Sequence, residues 1–144
     1  MRRIRTLSLG AVLLAAGGAG CEKELPTGPS ELTSGIVVYE HANYVGRSAH
    51  ITEDIRDLGE VTGPCQHESG GPVSGSIPYF DWDDCISSVK VAPGWRATLY
   101  RDPNYRDDSL DITADVPNLQ LVTEHDCPKG GLNDCVSSIR VRRQ

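Results

Sequence analysis

The sequence predicts an all-β domain built from two copies of one plan, on three observations. The first is a repeat. Asp83-Asp84-Cys85-Ile86-Ser87-Ser88-Val89-Lys90-Val91 returns fifty residues later as Asn133-Asp134-Cys135-Val136-Ser137-Ser138-Ile139-Arg140-Val141, with five of nine positions identical and four exchanged like for like. An internal repeat fixes the architecture before any local reading. The second is composition: 15 glycines and nine prolines punctuate many short β-branched runs, the pattern of a sheet protein with many turns. The third is that no stretch sustains a helical period of useful length.

The first 21 residues read as an export signal outside the fold. Arg2, Arg3 and Arg5 form a positive start, and Leu7 to Gly20 is apolar or small and uncharged. Those fourteen residues fall short of the roughly 20 that a membrane-spanning helix needs. Gly18-Ala19-Gly20 lead directly into Cys21, which resembles the bacterial lipobox, with Gly18 where a large aliphatic residue is usual. That resemblance implies lipidation at Cys21; ordinary cleavage leaving a spare thiol is the alternative. Residues 22–34, with two prolines, a glycine and no apolar period, read as a flexible tether.

Without its first 21 residues, which carry three arginines and no acids, the chain keeps 11 basic and 20 acidic residues, a formal charge of −9. Such a surface disfavours nucleic acid and anionic lipid and attracts cations, so membrane contact is expected only through a lipid anchor. Roughly 110 residues follow the tether, enough for one domain with its own core. Four cysteines remain in it: Cys65, Cys85, Cys127 and Cys135. An exported even set favours disulfides. Each half has one loop cysteine and one inside the repeated motif, so symmetry favours Cys65–Cys85 and Cys127–Cys135; cross-pairing between halves stays open.

Residues 35–93 read as the first motif. Gly35 to Tyr39 is a strand, and Tyr39-Glu40-His41-Ala42-Asn43-Tyr44-Val45-Gly46 places two tyrosines and a glycine about a tight hairpin. Arg47 to Leu58 is a second strand and an irregular corner. Thr62 to Ile77, rich in Gly, Pro and Ser, reads as a long loop. Tyr79 to Trp82 is a short aromatic strand, and Val89 and Val91 share one face of the strand closing the motif.

Residues 94–142 repeat the plan. Trp95 to Tyr100 is a strand, Tyr100 to Asp107 repeats the aromatic spacing, and Ser109 to Leu119 matches Ser48 to Leu58. Asp107 replaces the hairpin glycine, a tolerable residue at positive φ, at some cost. Tyr39 to Asp83 spans 44 positions and Tyr100 to Asn133 spans 33, so the first half carries an 11-residue insertion.

The doubled pattern of two spaced tyrosines and a turn residue, followed by Asp/Asn-Asp-x-x-Ser-Ser, resembles the βγ-crystallin family over about residues 35–142. That resemblance implies a β-sandwich of two Greek-key motifs. It also implies two calcium sites, each assembled from both halves. Side-chain ligation falls on Asp84, Ser87, Asp134 and Ser137, and carbonyl ligation on Glu40 and Arg101. Asp83 and Asn133 would supply a carbonyl or support, while Ser88 and Ser138 brace the folded hairpins. Calcium suits this set, since it takes six to eight oxygens from carboxylates, carbonyls and water. Plain Asx and hydroxyl turns are the bland alternative, which the doubling disfavours. Strain at Asp107, near Arg101, is expected to make the site on the second hairpin the weaker.

The chain carries no Gly-x-Ser-x-Gly, His-Glu-x-x-His or phosphate loop, and no enzyme is expected. Cys65-Gln66-His67 and His125-Asp126-Cys127 mirror each other, but fit no standard zinc finger. The leading expectation is an exported, non-enzymatic calcium-binding module at the cell envelope, or secreted. The alternative is a disulfide-bonded inhibitor of metalloproteases on the same fold, with a protease as partner.

Overall fold

The structure, a computed structural model, describes residues 31–68, 78–123, 125 and 127–144. The signal, Cys21 and most of the tether lie outside these residues, as does much of the Thr62–Ile77 segment.

Strand β1 (Ile36–His41) pairs antiparallel with β2 (Val45–Ile51) and with β5 (Ser88–Val91), giving the order β2-β1-β5. β6 (Trp95–Asp102) pairs likewise with β7 (Arg106–Ile112) and β8 (Ser138–Arg143), in the order β7-β6-β8. The hairpins are copies. His41 faces Val45 in the first and Asp102 faces Arg106 in the second, each after the same break in register.

The halves exchange chain. After β2 the corner turns away from its own sheet, and Ile55 forms a two-way bridge to Ile139 of β8 at 2.8 and 2.9 Å. Val116 does the same to Val89 of β5, at 2.8 and 2.9 Å. A carboxylate locks each crossing: Asp54 Oδ1 accepts from the Val141 N–H at 2.9 Å, and Asp115 Oδ1 from the Val91 N–H at 2.8 Å. This interlocking makes two three-stranded hairpin units into the two sheets of a Greek-key sandwich.

The alternating strands place their apolar sides between the sheets. Val38 and Leu99, Leu58 and Leu119, Ile86 and Val136, and Val89 and Ile139 are symmetry-related pairs, and all are fully buried. Each such side chain contributes about 1.5–3 kcal/mol of burial free energy.

One expected loop is a strand. Thr62–Glu68 forms β3, which pairs antiparallel with β4 (Pro78–Asp81) in a separate two-stranded ribbon. Pro64 hid it, because proline cannot donate to a ladder. Here it sits in the register break between Thr62 and Cys65, where no ladder bond is required. Gly63 is needed beside it: a Cβ there would stand 2.1 Å from the Asp81 carbonyl oxygen. The Cys65–Cys85 disulfide ties this ribbon to the first repeated motif, and Cys127–Cys135 closes an eight-residue separation in the second half.

Candidate metal centre

The repeated motifs form left-handed turns against the hairpins. Asp84 and Asp134 hold φ of 48° and 49°, a conformation that aspartate tolerates better than most residues. Each turn is pinned at both ends. The Ser87 N–H donates to the Tyr39 carbonyl and the Ser137 N–H to the Tyr100 carbonyl, both at 2.9 Å. Across the halves, the Asp84 N–H donates to Val136 O at 3.2 Å and the Asp134 N–H to Ile86 O at 3.1 Å. The two motifs therefore bind each other as well as their hairpins.

At the first site three oxygens converge from three segments. The Ser87 hydroxyl lies 2.9 Å from the Glu40 carbonyl oxygen and 3.1 Å from Asp134 Oδ1 of the other half. Carbonyl, hydroxyl and carboxylate are the hard donors that calcium takes, so the residues fit that ion. Lys129 Nζ stands 3.0 Å from the second carboxylate oxygen of Asp134.

The second motif repeats the backbone of the first, with the Ser137 N–H on the Tyr100 carbonyl, but among the described residues no hydrogen bond joins the Ser137 hydroxyl to the Arg101 carbonyl or to Asp84, so the expected carbonyl–hydroxyl–carboxylate set is brought together only at the first site. Among the described residues Asp84 has no cation within ion-pair distance. Its residue surface is open, but partial desolvation of the carboxyl raises its pKa, the nearby Asp83 and Asp134 carboxylates add to the rise, and His67 and Lys129 offset part of it. A divalent cation there would relieve both effects.

The Asp83 backbone is engaged with the β3–β4 ribbon. Its carbonyl lies 3.2 Å from His67 Nε2, and its N–H donates to Asp81 Oδ1 at 2.9 Å. Its buried Oδ1 has no hydrogen-bond partner among the described residues. The Asn133 N–H closes a turn on Gly130 O at 3.3 Å. Ser88 and Ser138 brace the hairpins. Each hydroxyl donates to a carbonyl at 2.6 Å (His41 or Asp102) and accepts from the second tyrosine N–H (Tyr44 or Tyr105) at 3.0 Å. Asp107 adopts φ of 62° where Gly46 has 86°. The second hairpin keeps the register of the first.

The Cys/His set is dispersed. All four cysteines are in disulfides, His67 Nε2 stands 3.1 Å from Asp81 Oδ1, and His125 Nδ1 stands 2.5 Å from Asp108 Oδ2. Among the described residues no three His, Cys, Asp or Glu side chains converge, because each candidate site relies on one carboxylate, a hydroxyl and a carbonyl. Sequence reasoning missed Lys129 and Asp81. Lys129 has no counterpart in the first repeat, where the equivalent position is Tyr79.

Comparison with known proteins agrees with this architecture. The model of peptidase inhibitor family I36 matches residues 37–113. Spherulin-3A of Physarum polycephalum is 26% identical over 106 residues, covering 74% of this chain and 80% of the relative. A βγ-crystallin domain from Flavobacterium johnsoniae is 27% identical, with a TM-score of 0.52 over 76% of this chain and 94% of that one. A structure from work on the evolution of the eye-lens βγ-crystallin domain fold superposes with a TM-score of 0.58, at 23% identity, over 81% and 93% of the two chains. The chain therefore belongs to the βγ-crystallin family and, by the model it matches, to peptidase inhibitor family I36.

Proposed function

We propose that this chain is an exported, non-enzymatic domain that binds two calcium ions and is stabilised by them. One observation carries the reading: the Glu40 carbonyl, Ser87 hydroxyl and Asp134 carboxylate meet from three segments of both halves. Bound calcium would supply no chemistry beyond charge and coordination. Glu40 and Arg101 offer carbonyls, Ser87 and Ser137 hydroxyls, and Asp84 and Asp134 carboxylates, with Asp83 and Asn133 shaping the turns. Because each site joins both halves, occupancy favours the docked fold over the unfolded chain by mass action, by about 2.7 kcal/mol at a hundredfold excess over Kd. Export agrees with the two disulfides and with the leader ending at Cys21, the proposed lipidation site that would hold the domain at the envelope.

Calcium titration by calorimetry is expected to give two ions per chain and a raised melting temperature in millimolar calcium. Ser87→Ala and Ser137→Ala are expected to weaken one site each. Alanine is preferred to a larger residue because both serines are buried. A melting curve indifferent to millimolar calcium would sink the reading.

A second reading is favoured by the family match and by the β3–β4 ribbon. It holds that the chain inhibits a peptidase, with metallopeptidases the first class to assay. The ribbon is stapled by Cys65–Cys85 and leaves Tyr79 and Phe80 nearly half exposed, and a rigid exposed apolar edge suits protein contact. Stoichiometric inhibition that Phe80→Asp abolishes, with calcium binding intact, is the expected outcome. No inhibition across metallo- and serine peptidases would exclude it.

A further inference from the structure

We propose that Lys129 is a tethered cation that competes with calcium at the first site, so that the two sites fill in order, the second before the first. The inference rests on the calcium reading above. Asp134 is the only carboxylate among the three oxygens that meet at the first site, and both of its oxygens are engaged. Oδ1 lies 3.1 Å from the Ser87 hydroxyl, and Oδ2 lies 3.0 Å from Lys129 Nζ. A divalent ion coordinated by this carboxylate must displace the ammonium or share the carboxylate with it at close range. Either costs affinity, because like charges repel and the existing pair must be broken.

The backbone holds Lys129 in place. It lies inside the Cys127–Cys135 ring, and its carbonyl accepts from Gln120 Nε2 at 3.1 Å. Gly130 and Gly131 then turn the chain through positive φ of 87° and 58°. A Cβ on Gly131 would stand 2.1 Å from the Leu119 carbonyl oxygen, so the turn is packed tightly against its neighbour. Only the flexible stem of Lys129 is left to move, and its side chain is largely exposed. The ammonium is thus a resident ligand at high effective concentration that can swing into water when a stronger cation arrives.

At the second site there is no such direct contact, and Lys129 reaches Asp84 only through space. The residue fifty positions before Lys129 is Tyr79, and among the described residues no cation pairs directly with Asp84. Lys129 thus acts against the asymmetry that Asp107 suggests, by weakening the site served by the first hairpin. An ordered pair of sites would give one that fills at low calcium and one that responds at higher calcium.

The test is a calcium titration of the full chain followed by NMR, with the Ser87 and Ser137 amides reporting the two sites separately. Wild type, Lys129→Met, Lys129→Arg and the charge control Arg96→Met are compared after calcium has been stripped with a chelator. Lys129→Met is expected to tighten the Ser87 site about three- to fivefold, the scale of an exposed ion pair, and to leave the Ser137 site within twofold. Lys129→Arg keeps the wild-type affinity, and the Lys129 ε-methylene resonance of the wild type moves only as the Ser87 site fills. Equal tightening at both sites, or the same gain in Arg96→Met, would show a general charge effect and overturn the proposal. An unchanged or weakened Ser87 site in Lys129→Met would overturn it too. If no variant binds calcium, the calcium reading itself fails and takes this proposal with it, an outcome distinct from the others.

Discussion

At the scale of single residues, the fold depends on side chains that satisfy backbone left unpaired by unusual turns. Asn43, Tyr44, Asn104 and Tyr105 all lie near φ of +60°. Asparagine visits that region readily, whereas for tyrosine it is costly. The sequence carried the hairpin but not this geometry, because the compensation comes from distant residues: Ser88 serves Tyr44 from 44 positions away, and Ser138 serves Tyr105 from 33. Both serines are fully buried, so Ser88→Ala would strand the Tyr44 N–H and the His41 carbonyl. A loss of about 1–3 kcal/mol is expected from each serine replacement by urea unfolding. Losses within 0.5 kcal/mol, about the scatter of ordinary surface changes, would show that water replaces the hydroxyl. The doubled acidic motif was legible because both copies stand in identical turns. Lys129 was illegible as a partner of Asp134, since only the closed Cys127–Cys135 ring brings it there.

At the scale of elements, the strands of the two sheets were readable from alternation and from the repeat, whereas β3 was not. Its Gly63-Pro64 start reads as loop chemistry, and only the pairing with β4 overrides it. The crossing corners were seen as irregular stretches of matched length, Ser48–Leu58 and Ser109–Leu119, without any sign that each joins the opposite sheet. Asp54 is the clearest test of that exchange. It accepts from Val141 N–H and holds the Arg142 guanidinium through both carboxylate oxygens. The Arg142 hydrogen bond, outweighing partial desolvation, draws the Asp54 pKa below its ordinary value. The folded pKa lies below the unfolded one, so the stabilisation is complete above the usual carboxylate range, about pH 4. It is lost as the pH falls through the lowered folded value. Asp54→Asn should therefore lower the urea midpoint at neutral pH and match wild type near pH 2. A deficit that persists undiminished at about pH 2 would assign the effect to packing instead.

At the scale of the whole molecule, the domain combines covalent staples within halves with strand exchange between them. In the chain-entropy account the Cys65–Cys85 closure contributes about 3 kcal/mol and the shorter Cys127–Cys135 closure about 2.5 kcal/mol. Together these match the lower end of the usual total stability of a domain, about 5–15 kcal/mol. Replacing both pairs by alanine is expected to leave a chain that folds only in millimolar calcium, read by circular dichroism with and without chelator. Removing Cys65–Cys85 alone should cost more than removing Cys127–Cys135. Equal melting of the oxidised and reduced proteins without calcium would contradict this account.

The position of β1 has a mechanical consequence. The chain enters the domain at its first strand, and that strand is the middle one of its sheet, between β2 and β5. The entry is fastened too: Ser34 O lies 2.7 Å from His50 Nε2, and Gly35 O accepts from the Ala92 N–H at 3.0 Å. A pull on the residues before Glu31 would load two ladders at once, in shear along their length, where an edge strand would peel away one bond at a time. A domain tethered at this end would resist being dragged open by a load on its leader side.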